Sequence, residues 1–105
     1  MNKSAVGKNQ SDTFLRVEFH AHTIYSKDSL TTPEKLIRTC RRKNIDRVVV
    51  TDHNTITGAL HCQELAPDLV IVGEEIMTTA GEILAFYVTE EIPPGLSPQE
   101  TINRL

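Results

Sequence analysis

Arg47-Val48-Val49-Val50-Thr51-Asp52-His53-Asn54 is the stretch whose reading decides the fold. Its first half is short, β-branched and free of polar alternation, the pattern of a central strand buried on both faces in a parallel sheet. Its second half is a polar cluster, placed where such a strand gives way to a loop. Outward on one side, Phe14-Leu15-Arg16-Val17-Glu18-Phe19 reads as a preceding strand, and His20 to Leu30 as a loop rich in Ser, Thr and Asp. Outward on the other, Asp68-Leu69-Val70-Ile71-Val72 reads as a third strand of the same buried type.

Helical patterns fill the intervals. Thr32 is a suitable N-cap, Pro33 sits at the first helical position and Glu34 lies in the first turn. Leu36, Ile37 and Cys40 make one apolar face, and Asn44 suits a left-handed residue at the helix end. A second helix runs from about Ile56 to Leu65, bounded by Pro67. Strand, helix, strand, helix, strand is the signature of parallel βαβ units with right-handed crossovers, so the fold class is α/β. Ile76 to Thr79 and Ile83 to Val88 flank Ala80-Gly81-Glu82 as a hairpin or an irregular fourth strand. Ser97-Pro98-Gln99-Glu100 then opens a helix with a capping box.

At 105 residues the chain forms one domain at most. A chain of this length buries roughly 60–70% of the surface its unfolded form exposes, which permits a modest core. Residues 1–13 are polar and without periodicity and read as a disordered lead, leaving 14–105 as the domain. The net charge of -3 argues against a general nucleic-acid footprint, which needs a basic excess on one face. The one basic run, Arg41-Arg42-Lys43, falls where a helix ends and complements the negative end of its dipole. Cys40 and Cys62 lack Cys-x-x-Cys spacing and read as buried free thiols. There is no signal-peptide pattern and no apolar run near the roughly 18 residues of a membrane span, so a cytoplasmic location without membrane contact is expected.

The polar clusters coincide on this layout. His20 and His22 follow the first strand, Asp52 and His53 the second, Glu74 and Glu75 the third. Carboxyl ends of parallel strands are where α/β sheets and β/α barrels gather ligands and catalytic groups. Histidines two apart on an extended segment point to one face and can reach one ion. Imidazole and carboxylate donors without nearby thiolates suit Zn, Mn or Fe.

His20-Ala21-His22-Thr23, Tyr25-Ser26, the Pro33-Glu34 helix start, Thr51-Asp52-His53-Asn54, Gly58 and Gly73-Glu74-Glu75 stand in the order and spacing of the PHP (polymerase and histidinol phosphatase) family. The chain resembles that family from about Val17 onward. The resemblance implies a metal-dependent phosphoesterase on a distorted (β/α)7 barrel of the TIM type, mainly parallel, holding two or three divalent ions. It implies that His20 and His22 are the first ligand pair and Asp28 the acidic ligand after them, set one residue later than the family's Ser-Asp-Gly. His53 matches the second ligand block and Glu75 the glutamate that bridges two metals, with Glu74 as its solvated neighbour. Asp52 and Glu75 are the catalytic candidates, Asp52 by holding an imidazole tautomer through a hydrogen bond. Glu82 stands where the family often has histidine; it is either an oxygen ligand or the mark of an absent metal subsite. His61 has no partner at ligand spacing and reads as a helix-face residue. An amidohydrolase-type barrel also opens with His-x-His, but Thr51-Asp52-His53-Asn54 and the glutamate after Gly73 fit it poorly.

A complete barrel of this kind needs on the order of 200 residues. The expectation is therefore an N-terminal portion of a longer enzyme, its last helix stopping after two turns. The alternatives are a barrel completed by a second chain, or a catalytically inactive metal-binding or oligomer-forming module. A small phosphorylated substrate is expected as the partner, and relatives serve nucleotides, histidinol phosphate and nucleic-acid 3′ ends.

Overall fold

A computed structural model describes residues 14–105, so the expected lead at 1–13 lies outside the described residues. The chain runs β1 (Val17–Ala21), α1 (Pro33–Arg42), β2 (Arg47–Val50), α2 (Thr57–Leu65), β3 (Val70–Thr78), β4 (Gly81–Phe86) and α3 (Pro98–Arg104). The strands form one sheet in the order β1-β2-β3-β4, parallel across the first three and antiparallel between β3 and β4. Phe19 and Phe86, on the two outer strands, stack with ring centroids 5.8 Å apart. Three flat inter-strand spacings would hold those strands about 14 Å apart. The sheet is thus curled into a half-barrel, compatible with part of a TIM-like barrel.

Local chemistry accounts for the helices. Thr32 accepts a hydrogen bond from the Lys35 backbone N–H at 3.1 Å and Pro33 opens α1. Asn44, at φ 58°, turns the chain out of that helix in the left-handed conformation. The capping box of Ser97 and Glu100 is formed at α3. The basic run does more than meet a helix dipole, because Arg41 grips the Asp68 carboxylate with two nitrogens, at 2.9 and 3.1 Å. That pair ties the end of α1 to the entry of β3.

Alternation divides the sheet into two faces. Val48, Val50, Val70, Val72, Ile76 and Ala85 join Ala59, Cys62 and Leu69 in one core on the helix side. Gly73 is paired with Phe86, and Glu75 with Leu84, on the concave side. A Cβ at Gly73 would stand 2.7 Å from both the Ala85 carbonyl oxygen and Val49 Cγ1, so glycine lets the three strands close up there.

Three sequence readings need correction. β1 starts at Val17 rather than Phe14, because pairing begins only where Arg47 is opposite, and it runs through His20 to Ala21. β3 does not end at Val72: the hairpin with β4 holds Gly73, Glu74 and Glu75 extended, so they lie inside a nine-residue strand. Glu74 is not a solvated neighbour. It points to the helix side, has no exposed surface, and accepts the Ile92 backbone N–H on Oε1 at 2.9 Å, while Oε2 has no hydrogen-bond partner among the described residues.

Burial pushes the Glu74 carboxyl up from 4.5 to about 7, against the Ile92 hydrogen bond and with help from the charge of Glu91. Between those values the folded chain keeps a proton that the unfolded chain releases. The stability contribution is therefore full below about 4.5 and is lost as pH rises through about 7. At roughly 1.4 kcal/mol per pH unit the loss is on the order of 3 kcal/mol. Glu74→Gln retains the acceptor for Ile92 and cannot ionise. Urea unfolding across this window should show wild type weakening with pH relative to the Gln variant; midpoints that move in parallel would contradict the buried acid.

Candidate metal centre

The concave side gathers its polar groups where β1 and β2 end and β3 turns to its antiparallel partner. The pairing of β1 with β2 slips between Glu18 and Ala21, beside His20, an irregularity of the kind that re-aims side chains near functional sites. Beyond β2, His53 forms an isolated parallel bridge with Glu75. The Glu75 N–H donates to the Asp52 carbonyl at 3.0 Å, and the Asn54 N–H donates to the Glu75 carbonyl at 2.9 Å. Two backbone hydrogen bonds thus fix the His53 loop against Glu75.

The donor atoms converge. His20 Nε2 and His22 Nε2 lie 2.8 and 2.9 Å from Glu75 Oε1 and 3.1 Å from each other. His22 Nδ1 is 3.3 Å from Asp28 Oδ1, and His53 Nε2 is 3.1 Å from Asp28 Oδ2. His53 Nδ1 is 3.3 Å from Glu82 Oε2 and 3.9 Å from Glu75 Oε1. These residues make three triads able to hold an ion, namely His20/His22/Glu75, His22/Asp28/His53 and His53/Glu75/Glu82. His22, His53 and Glu75 each belong to two of them. All six ligand candidates from the sequence are therefore brought into one connected cluster. His61 stands apart, 3.9 Å from Glu34.

The donor set fits a divalent cation. Donors that each sit about 2.0–2.2 Å from a common ion are separated by roughly 3 Å, which is the size of the His20/His22/Glu75 triangle. Two imidazole nitrogens and a carboxylate oxygen crowded this closely cannot all be matched donor to acceptor by single protons. Cys40 and Cys62 are buried and free, and burial pushes the Cys62 thiol up to about 12, so thiolates play no part in this donor set.

Electrostatics bind the cluster together. Burial resists ionisation of Glu75, but hydrogen bonds from His20 and His22 and the charge of His53 outweigh it and hold the carboxyl below its ordinary value. Burial likewise resists the charge on His53. The hydrogen bond to Asp28 and the carboxylates of Glu75, Asp28 and Glu82 prevail and raise its pKa.

Asp52 occupies a different place from the one the sequence suggested. Its carboxylate touches no imidazole. It has no exposed surface, and its oxygens accept the Thr23 N–H (2.6 Å), the Thr23 hydroxyl (2.6 Å) and the Ser26 hydroxyl (2.8 Å). Ser26 Oγ accepts the His53 N–H at 2.9 Å. Gly58, in the first turn of α2, presses on this knot: a Cβ there would collide with Asp52 Oδ2 and Thr23 Oγ1. The sequence reading assigned Thr23 and Ser26 no role. Two hydroxyl residues in the loop after His-x-His, opposite an Asp bound for a buried strand end, are the signal that marks them.

The profile of the PHP domain matches residues 18–90. An uncharacterized protein of Methanocaldococcus jannaschii is 38% identical over 104 residues, covering 87% of this chain and 61% of that protein. A second uncharacterized protein of the same organism is 36% identical over 91 residues, covering 87% of this chain and 35% of that one. An error-prone DNA polymerase of Mycobacterium tuberculosis is 32% identical over 83 residues, 74% of this chain and 7% of the polymerase. The chain thus spans less than two thirds of each of these relatives.

Shared corners give the centre an ordering. Glu75 serves two triads and Glu82 one, so Glu75→Ala should remove more bound Zn2+ at equilibrium dialysis than Glu82→Ala; equal losses would contradict the shared-corner arrangement. Metal affinity should also fall as pH is lowered between about 8 and 6, because imidazole must be neutral to ligate. Since the His53 pKa is raised, calorimetric titration should show the fall beginning above the ordinary imidazole range; affinity constant across that range would contradict histidine ligation.

Proposed function

This chain belongs to the PHP domain family, and on that premise we propose that it is the metal-binding portion of a phosphoesterase that hydrolyses a phosphate ester by metal-assisted attack of water. Members of the family are generally metal-dependent phosphoesterases. The observation that carries the reading is the set of three donor triads sharing corners on one concave surface.

In this reading His20, His22 and Glu75 hold one ion, and His53, Asp28 and Glu82 complete the neighbouring positions. Zn, Mn and Fe suit such imidazole and carboxylate donors. What divalent ions supply when bound is Lewis acidity, toward a water and toward the phosphoryl oxygens. The chain's own contribution is placement. Glu75, buried to 8% side-chain exposure, faces His20, exposed to 47%, so the cluster is anchored on one side and open to substrate on the other. The substrate class is a small phosphorylated molecule.

The finer architecture, an N-terminal portion of a (β/α)7 barrel formed by residues 14–105, also belongs to this proposal. It is supported by the three parallel strands with their crossover helices. Phe19, Met77, Leu84 and Phe86 are between 41% and 56% exposed, and all but Phe19 lie on β3 and β4. We assign their covering to further polypeptide that completes the barrel, in the same chain or in a second one. Among the described residues no helix is long and apolar enough to cross a membrane. The free, buried Cys40 and Cys62 are in keeping with a reducing, cytoplasmic location.

The same openness favours a second reading, an inactive metal-binding or oligomer-forming module. Phosphate release from small phosphoesters with added Mn2+ or Zn2+ separates the two. We expect release by wild type and its loss in the His20→Ala/His22→Ala double variant. Bound metal with no release from wild type would favour the second reading, and equal rates in both proteins would overturn the first.

A further inference from the structure

The clasp behind the metal centre has a selective role. We propose that the Ser26 and Thr23 hydroxyls, closed on the buried Asp52 carboxylate, are positioning groups for the Asp28–His53 side of the centre and not for the His20/Glu75 side. The inference rests on the metal-centre reading above.

The wiring is asymmetric. Ser26 Oγ donates to Asp52 Oδ1 at 2.8 Å and accepts the His53 backbone N–H at 2.9 Å, so one hydroxyl joins two loops. Asp28 lies two residues beyond Ser26, and the Ser29 N–H donates back to the Ser26 carbonyl at 3.2 Å, closing a turn around Asp28. Asp28 and His53 therefore both hang from Ser26, with their side chains 3.1 Å apart. Thr23 completes the clasp with a backbone and a hydroxyl hydrogen bond to Asp52, both at 2.6 Å. Thr23 and Ser26 are 0% and 2% exposed, so no water competes for these bonds.

His20 and Glu75 are held by other means. His20 lies inside β1, and Glu75 lies inside β3 between paired neighbours. Neither residue makes a hydrogen bond to Ser26, Thr23 or the Asp52 side chain. Groups that orient ligands from behind typically change metal affinity by about 10–100-fold when removed. The side of the centre built on loops is where such a change should be felt.

The test is calorimetric titration of Zn2+ into the metal-stripped full chain, with Asp28→Ala as the reference for loss of that side. Ser26→Ala should weaken the Asp28-dependent uptake by about 10–100-fold. Combined with Asp28→Ala it should cause no further loss, whereas combined with His20→Ala its effect should persist, as a double-mutant cycle requires for coupled groups. Thr23→Val, which keeps the shape without the hydroxyl, should act in the same direction, and Thr23→Ser, which keeps the hydroxyl, should bind as wild type does. Affinity unchanged in Ser26→Ala and Thr23→Val, or reduced equally on the Asp28→Ala and His20→Ala backgrounds, would overturn the proposal while leaving the metal centre standing. Wild type that takes up no Zn2+ would overturn the metal-centre reading and this proposal with it.

Discussion

Burying the Asp52 carboxylate is the constraint on which the rest of the structure depends. An ionised carboxylate out of contact with water costs several kcal/mol unless its oxygens are met by hydrogen bonds. Asp52 stands at the end of the central strand with no exposed surface, and among the described residues only the chain after β1 supplies donors to its carboxylate. The loop that carries His22 and Asp28 must therefore fold over the end of β2. Once there, it sets Asp28 beside His53. The packing of α2 obeys the same constraint, since Gly58 is the residue that lets the helix approach the knot.

A cluster of three histidines and three carboxylates would be an expensive arrangement for stability alone. Five of the six are more than one-tenth exposed in their side chains, where ion pairs are screened and contribute little. Glu75 is the exception, nearly buried and facing three imidazoles. Arrangements of this kind, with perturbed groups converging in a concavity, mark functional sites more often than structural ones. The two buried acids behind it, Asp52 and Glu74, divide the supporting work: the first holds the loops of β1 and β2, the second pins the Ile92 segment to β3.

Much of this was legible in the sequence, and the remainder was not for definite physical reasons. The Val48-Val49-Val50 run and the Thr32-Pro33 cap are local signals, and both elements form as read. The end of β3 was misread because Gly73-Glu74-Glu75 looks like a loop by residue type. Only pairing with β4, a non-local interaction, keeps it extended. Glu74 and Glu75 are adjacent carboxylates whose fates diverge by strand alternation alone, one toward the helices and one toward the concave face. His20, His22 and His53 stand out by type and spacing, Asp28, Glu75 and Glu82 are singled out only by the family resemblance, and all six converge. The role of Asp52 could not be read that way, because what it bonds depends on where the Thr23–Ser26 loop lands.

The central claim is that these six side chains surround metal. Anomalous-difference crystallography of the chain grown with Mn2+ or Zn2+ tests it most directly. Peaks are expected between His20, His22 and Glu75 and on the Asp28–His53 side. A well-ordered concave surface with no anomalous density, or metal bound only at residues outside the cluster, would contradict it.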